Sequence, residues 1–182
     1  NSNLIYELTA VLQLPLAYSE DEDIRRSLLA CSTLRLAPEV QEILARDNEY
    51  YIRERLARRT DILPEVQNIL AHDEDIVRDL LENPNLSPEA QKIIAKNEDK
   101  YIRFNLAEKS NLAVEVQKIL LNDSFTRDFI LNNPNLAEEV QIYCSKLGWS
   151  DRSSLAENPN IALETQKMLV HDKDNFVRKS LA

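Results

Sequence analysis

Apolar residues along the chain form short sets with the spacing of one face of an α-helix. Val66, Ile69 and Leu70 stand at positions i, i+3 and i+4, which places them in a single stripe. The same stripe returns as Val40, Ile43, Leu44 and as Val116, Ile119, Leu120. Apolar pairs spaced four apart lie between these stripes: Ile52 with Leu56, Val77 with Leu81, and Ile102 with Leu106. The pattern predicts an alternation of two kinds of short helix.

Proline and asparagine mark where these helices should begin and end. Pro38, Pro64 and Pro88 each precede an apolar stripe, and proline is favoured at the first position of a helix because its missing N–H has no partner to lose. The run Asn83-Pro84-Asn85 follows a second helix, and it recurs at residues 133–135 and 158–160. Since the residue before proline avoids helical geometry, each run predicts a helix end.

Two polar markers recur with one common period. A glutamine inside the first stripe returns every 24–26 residues, at Gln41, Gln67, Gln91, Gln117, Gln141 and Gln166, and Gln13 is a candidate seventh copy. An arginine followed three residues later by Leu or Ile returns every 24–28 residues, at Arg25, Arg53, Arg78, Arg103, Arg127, Arg152 and Arg178. A fixed period of this length is the signature of a repeat architecture.

Helices this short are unstable in isolation, so each two-helix unit must be held by its neighbours. We therefore expect one all-α domain over residues 1–182, an α-solenoid of about seven two-helix repeats in which stacking buries the stripes in a continuous core. Residues 1–20 would form an N-terminal cap, and residues 21–182 the tandem repeats. One helix of each pair is short, with 3₁₀ geometry as an alternative to α.

Composition supports this class and excludes others. The chain has one glycine, whereas a β-rich fold would need several for its turns and bulges. Its 22 basic and 31 acidic residues give a net charge of -9, which disfavours nucleic acid as a partner. Cys31 and Cys144 stand far apart, without metal-ligand spacing, and no apolar run is long enough to cross a membrane. We expect a cytoplasmic protein of undetermined oligomeric state.

The run from Asn83 to Glu89, followed by an apolar helix and a segment that ends Ile-Arg-x-x-Leu-Ala at residues 102–107, resembles the leucine-rich repeat variant family. The resemblance covers residues 21–182 and implies a right-handed superhelix of paired α- and 3₁₀-helices. It does not extend to the family's iron-sulfur segment, because two isolated cysteines cannot supply four thiolates. Residues 141–155 depart most from the pattern, which predicts irregular stacking there.

The Arg and Gln series each allow two interpretations. The arginines could grip phosphates or carboxylates of a ligand, or they could satisfy carbonyls and carboxylates between neighbouring repeats. The glutamines border the buried stripe, where their amides most simply bond neighbouring turns. We interpret both series as structural ladders.

Acidic turns separate the two helices of several units, at residues 20–23, 73–75, 97–99 and 172–174. Calcium binding would need a longer loop with a complete set of oxygen ligands, whereas capping of the second helix requires nothing further. Together these turns would form an acidic edge, to which a basic partner could bind.

An aromatic strip is the best candidate for partner binding. Two residues before the marker arginines stand Tyr51, Ile76, Tyr101, Phe125 and Phe176, and the position four later adds Leu80 and Phe129. Aromatic anchors dominate interface energetics, so Tyr51, Tyr101, Phe125, Phe129 and Phe176 are the predicted partner-binding residues. The alternative is that the strip belongs to the core.

Candidate chemistry is sparse. His72 and His171 occupy matching turns far apart in sequence, and the chain has no phosphate-binding loop, nucleophile elbow or metal motif. We therefore expect no catalytic residues, metal or cofactor. The sequence favours a scaffold that binds a protein or peptide, with a helical-repeat enzyme of the DNA-repair or lyase type and a structural spacer as alternatives.

Overall fold

The computed structural model describes residues 2–30 and 34–181, with side chains from residue 10 onward. These residues form α-helices joined by short turns and contain no β-strand, which confirms the all-α class. The helices are α1 (Ser2–Ala17), α2 (Glu22–Ala30), α3 (Pro38–Ala45), α4 (Tyr50–Ala57), α5 (Pro64–Ala71), α6 (Val77–Leu81), α7 (Pro88–Ile94), α8 (Lys100–Ala107), α9 (Val114–Leu121), α10 (Arg127–Leu131), α11 (Glu138–Cys144), α12 (Trp149–Ala156), α13 (Leu163–Leu169) and α14 (Asn175–Ser180).

The predicted helix boundaries are confirmed. Helices α3, α5 and α7 begin at Pro38, Pro64 and Pro88, each of which takes the first helical position. Helices α6, α10 and α12 end two residues before an Asn-Pro-Asn run. Local sequence signals therefore decide where the chain enters and leaves its helices.

The second helix of a pair varies in length. Helices α4, α8 and α12 have eight residues, α2 has nine and α14 has six, whereas α6 and α10 have five. All of them are α-helices, so the 3₁₀ alternative does not hold for the described residues. The turn into α6 does contain an i+3 to i bond, from the Ile76 N–H to the Asp73 carbonyl at 3.1 Å. Tight turns of this kind replace the first turn of the short helices.

The chain divides into two compact units, which we call unit 1 (Asn1–Ile93) and unit 2 (Ile94–Ala182). In unit 1, α1, α3 and α5 pack side by side, and α2, α4 and α6 form a parallel row against them. In unit 2, α9, α11 and α13 form one row and α8, α10, α12 and α14 the other. Each unit thus has two helical layers with a core between them.

The buried stripe of the first helices differs in part from the prediction. Val66 and Leu70 are fully buried, as expected, but Ile69 is only half-buried. Gln67 and Ala71 are buried in its place, so the buried face of α5 is rotated toward its polar marker. The buried faces of α3 and α9 are rotated in the same way, so that the Gln marker and the last residue of each helix are buried. A polar side chain at the centre of a packed face must find hydrogen-bond partners there.

None of the described helices combines the length and the apolar character that are needed to cross a membrane.

Candidate functional site

The buried glutamines connect each first helix to the loop that precedes the next one. Gln117 donates through Nε2 to the Leu112 carbonyl of its own loop at 3.2 Å and to the Asn135 carbonyl of the next loop at 3.1 Å. Its Oε1 accepts a hydrogen bond from the Ala137 N–H at 2.9 Å. An N–H of the next loop likewise donates to Gln13, Gln41, Gln67 and Gln141. We call these five side chains the Gln ladder.

Two further glutamine markers lie in the same place in their helices. Gln91 is buried and donates to the Leu86 carbonyl of its own loop at 3.0 Å. Gln166 is exposed and donates to the Ile161 carbonyl at 2.9 Å. Gln13, the candidate seventh copy, donates to the Arg35 carbonyl and accepts from the Ala37 N–H of the next loop, so α1 is placed as the first helix of a pair.

Four of the marker arginines pair with an aspartate in the following turn. Arg152 is the most buried: its Nε and Nη2 bond the two carboxylate oxygens of Asp172 at 2.6 and 2.9 Å, and Nη1 donates to the Leu147 carbonyl at 2.6 Å. The pairs Arg25–Asp47, Arg53–Asp73 and Arg103–Asp123 are also joined at 2.6 Å. We call these four ion pairs the Arg ladder. A guanidinium that is already engaged in this way has few donors left for a ligand.

Each aspartate of the Arg ladder also shapes its own turn. Asp172 accepts a hydrogen bond from the Asp174 N–H at 2.9 Å, and Asp123 accepts one from the Phe125 N–H at 2.9 Å. The acidic turns then cap helices, since Asp99 and Asp174 accept from the first backbone N–H groups of α8 and α14. The acidic residues between the helices therefore have local structural partners.

Two of the other marker arginines are placed differently. Arg127 donates to the Leu121 carbonyl and lies 3.7 Å from Asp151, and the exposed Arg178 donates to the Asp172 carbonyl. Arg78 is exposed as well. Because α6 begins at Val77 where α10 begins at Arg127, Val77 aligns with Arg127 and Arg78 lies one residue beyond that position. The sequence pattern conceals this shift, because each arginine is followed three residues later by Leu or Ile.

The Asn-Pro-Asn runs make a further set of contacts that sequence reasoning missed. Asn133 donates through Nδ2 to the Ala107 and Lys109 carbonyls at 3.0 Å, at the end of the preceding second helix. Its Oδ1 accepts from the Asn135 N–H at 2.9 Å. Asn83 and Asn158 make the same contacts, and we call the three residues the Asn ladder. In the sequence the Asn ladder appears as a recurring asparagine, which by itself predicts only the end of a helix.

The Arg ladder predicts a loss of stability in acid. The hydrogen bond from Arg152 lowers the pKa of Asp172 against the opposing effect of burial, and burial of Asp123 is outweighed by its bonds from Arg103 and Phe125, so its pKa is lowered too. Stability from both pairs is therefore present above an unfolded carboxyl pKa of about 4 and lost as the pH falls through the lower folded values.

Urea unfolding of unit 2 between neutral pH and about pH 3, below the ordinary carboxyl pKa, would measure this loss. Fluorescence of Trp149, the only tryptophan, reports on α12. We expect the Arg152→Ala variant to show a shallower fall in the urea midpoint than the unchanged protein. Parallel falls in the two proteins would contradict the assignment.

The predicted aromatic strip is split between the surface and the core. Tyr51, Tyr101 and Phe176 are 61%, 59% and 61% exposed, whereas Ile76 and Leu80 are fully buried. The shifted register explains the difference, because Ile76 aligns with the buried Thr126 at the start of α10 rather than with Tyr51. The aromatic members alone are candidates for contact with a partner, and Ile76 and Leu80 belong to the core.

In unit 2 the structure brings four aromatic side chains together on α8, α10 and the turn before α10. Phe104 and Phe129 meet edge to face at 4.5 Å between ring centroids, and Tyr101 meets Phe125 in the same way at 5.8 Å. Phe104 also contacts Phe125 at 6.4 Å, which makes one continuous group that we call the aromatic cluster. Phe104 was missed by sequence reasoning, although it stands three residues after Tyr101 on the same helix.

The aromatic cluster remains accessible to solvent. Tyr101 is 59% exposed and Phe129 is 44% exposed, while Phe104 and Phe125 are half-buried. The Lys100 ammonium lies 4.8 Å from the Phe125 ring centroid and 5.2 Å from that of Tyr101. Edge-to-face contacts hold the rings in fixed positions, so a partner would meet a preformed apolar surface.

Phe129 also forms one wall of a pocket of about 340 Å³. Glu108 and Asp128 line the same pocket, and both residues are exposed. Neither carboxylate forms an ion pair within the part of the chain that the structure describes. Around Phe129 the site therefore combines an aromatic wall with two unneutralised negative charges, whereas the Lys100 ammonium lies over Tyr101 and Phe125.

Two smaller aromatic pairs lie elsewhere. In unit 2, Trp149 and Phe176 are 6.3 Å apart between ring centroids and both are exposed. In unit 1, Tyr50 and Tyr51 meet edge to face at 5.6 Å, and the Tyr50 hydroxyl donates to Asp79 at 3.1 Å. Each of these groups has two rings, whereas the aromatic cluster has four.

Metal ligands and thiols are the remaining candidate chemical groups. Among the described side chains, no group of three or more His, Cys, Asp or Glu residues is placed to hold a metal ion. Cys144 is buried on α11, and burial raises the pKa of its thiol to about 12. Cys31 lies outside the described residues.

Comparison with known proteins gives no match for the chain among family models, curated proteins or solved structures. A function must therefore be inferred from the side-chain contacts themselves.

Proposed function

We propose that the chain is a non-catalytic scaffold that binds a protein or peptide. Its architecture would be a right-handed α-solenoid of about seven helix pairs, like that of the leucine-rich repeat variant family it resembles. The support is the recurrence of identical hydrogen bonds about 25 residues apart along each unit, for example those of Gln117 and Gln141. Such contacts between successive pairs are what a stacked repeat requires.

The observation that carries the binding proposal is the aromatic cluster of unit 2. Four aromatic rings are packed against one another, two of them exposed to water, beside the pocket of Glu108 and Asp128. Exposed aromatic groups with fixed geometry are typical anchors of interfaces. The two carboxylates favour a peptide that carries lysine or arginine next to an apolar residue, because opposite charges in contact improve specificity and association.

The recurrent polar residues support a structural role in the same scaffold. The side chains of the Arg and Gln ladders form hydrogen bonds with carbonyls, N–H groups and carboxylates of the chain itself. Catalysis would need titratable groups that are free to act on a substrate. The aromatic cluster offers apolar surface and fixed charge instead.

Replacement of Tyr101 by alanine tests the proposal. The probe is a fluorescein-labelled peptide Lys-Leu-Lys-Lys-Leu-Lys, and its affinity is measured by fluorescence anisotropy. Because Tyr101 is exposed, we expect the free energy of unfolding of the variant to differ by less than about 0.5 kcal/mol from that of the unchanged protein. Its affinity for the basic peptide should fall about tenfold, as for an interface anchor. Phe129→Ala should weaken binding in the same direction.

Tyr143→Ala is the matched control, since Tyr143 is an equally exposed aromatic residue of unit 2 that lies on α11 outside the aromatic cluster. It should leave affinity unchanged. Equal losses in Tyr101→Ala and Tyr143→Ala, or equal binding of a peptide with Glu in place of Lys, would exclude the aromatic cluster as the binding site.

A further inference from the structure

Unit 1 contains a cleft whose charge is opposite to that of the chain as a whole. It has a volume of about 750 Å³ and is lined by four arginines, Arg35, Arg55, Arg58 and Arg59, together with Tyr51 and Leu29. Two carboxylates, those of Glu54 and Asp61, also face it. The chain as a whole carries a net charge of -9, whereas the lining of this cleft has more guanidinium groups than carboxylates.

We propose that this cleft binds an acidic peptide segment, with Arg55 and Tyr51 as its principal contacts. The inference goes beyond the proposed function, because it concerns another unit and a ligand of opposite charge.

Arg55 is the arginine that is free to bind. Arg58 bonds Glu54 at 2.9 Å and Asp79 at 2.8 Å, and Arg59 pairs with Asp61 at 2.8 Å. Arg55 is exposed and forms no ion pair with any side chain that the structure describes. Its guanidinium therefore retains the paired donors that match a carboxylate.

Tyr51 supplies an apolar contact next to this charge. It stands four residues before Arg55 on α4, so the two side chains lie on one face of the helix. Tyr51 is 61% exposed, and its ring meets Tyr50 edge to face. An aromatic ring beside an unpaired guanidinium suits a segment in which acidic and apolar residues alternate.

The composition of the wall favours a peptide over a polyphosphate. Glu54 and Asp61 would repel a polyphosphate, which is charged at every unit, more than a peptide, whose N–H groups can donate hydrogen bonds to them. The cleft is also larger than a single phosphate group needs, and its volume falls in the range of sites that bind drug-sized ligands. An acidic peptide can pair a carboxylate with Arg55 and still donate N–H groups to the two carboxylates of the wall.

Fluorescence anisotropy with the full chain at physiological salt tests the inference. The probe is a labelled peptide Glu-Glu-Leu-Glu-Glu-Leu, and its counterpart has Gln in place of Glu. We expect Arg55→Ala to weaken binding of the acidic probe about tenfold, the effect of one charge-assisted hydrogen bond, and the Gln counterpart to bind at least as weakly. Arg55→Gln, which keeps the length of the side chain, should behave like Arg55→Ala even if the alanine variant were to melt early.

Arg46→Ala is the matched control, because Arg46 is an exposed arginine of unit 1 outside the cleft. It should bind the acidic probe as the unchanged protein does, and so should Tyr101→Ala of unit 2. Equal losses in Arg46→Ala and Arg55→Ala, equal binding of the Gln counterpart, or tighter binding of inorganic polyphosphate than of the peptide would each overturn the proposal. Failure of the basic peptide to bind the aromatic cluster would leave these results untouched.

Discussion

Replacement of Arg152 by alanine is expected to destabilise unit 2 by about 2–3 kcal/mol. The substitution removes both bonds to the Asp172 carboxylate and the bond to the Leu147 carbonyl, and it leaves a nearly buried negative charge without its partner. The loss should be smaller than that for a fully desolvated ion pair, because water still reaches the edge of the Arg152–Asp172 pair. Urea unfolding followed by Trp149 fluorescence measures the change in the free energy of unfolding. Trp149 lies three residues before Arg152 on the same helix.

Two further variants separate geometry from charge. Arg152→Lys keeps the charge but loses the two-point contact with Asp172, so its midpoint should fall between those of Arg152→Ala and the unchanged protein. Arg178→Ala removes an exposed arginine that bonds only the Asp172 carbonyl, and its cost should be below about 1 kcal/mol. An Arg152→Ala protein with an unaltered midpoint would show that the Arg ladder contributes no stability.

Replacement of Gln141 by methionine should cost about 2–4 kcal/mol. Methionine has nearly the same length and shape, so the cavity is small and the lost hydrogen bonds dominate. The Leu136 and Asn160 carbonyls and the Ala162 N–H would all lose their partner, in a region where Gln141 is only 2% exposed. Unsatisfied buried backbone groups carry the full cost of their desolvation.

Gln166→Met is the matched control for this experiment. Gln166 has the same place on its helix but is exposed and makes a single bond, to the Ile161 carbonyl. Its replacement should change stability by less than about 0.5 kcal/mol. If both variants lost stability equally, the effect would come from helix propensity rather than from the Gln ladder.

The helices and their limits were accessible from the sequence. Proline at the first helical position and Asn-Pro-Asn after the last act within a few residues, so Pro64 or Asn83 can be interpreted without knowledge of the rest of the fold. The buried positions of Val66 and Leu70 follow from helical spacing in the same way. The irregularity predicted for residues 141–155 does not extend to the ladder contacts, because Gln141 and Arg152 make the same bonds as their counterparts.

Register and side-chain partners were less accessible. The turn before α6 places Val77 at the position where the spacing pattern predicts Arg78. Because the repeat length itself varies around 25 residues, spacing alone does not reveal a one-residue difference in a turn. The aromatic cluster depends on contacts between α8 and α10, and the cleft of unit 1 depends on Arg35 and Arg55, which come from different elements. Only the folded chain brings such groups together.

The ladder bonds that link one helix pair to the next join residues between 18 and 27 positions apart in the sequence. A nascent chain could therefore complete the contacts of one helix pair as soon as the next pair had left the ribosome, without waiting for a distant segment. Proteins whose contacts are this local generally fold fast and have few opportunities for wrong long-range pairing. The Gln, Arg and Asn ladders would thus allow the chain to acquire structure pair by pair during synthesis.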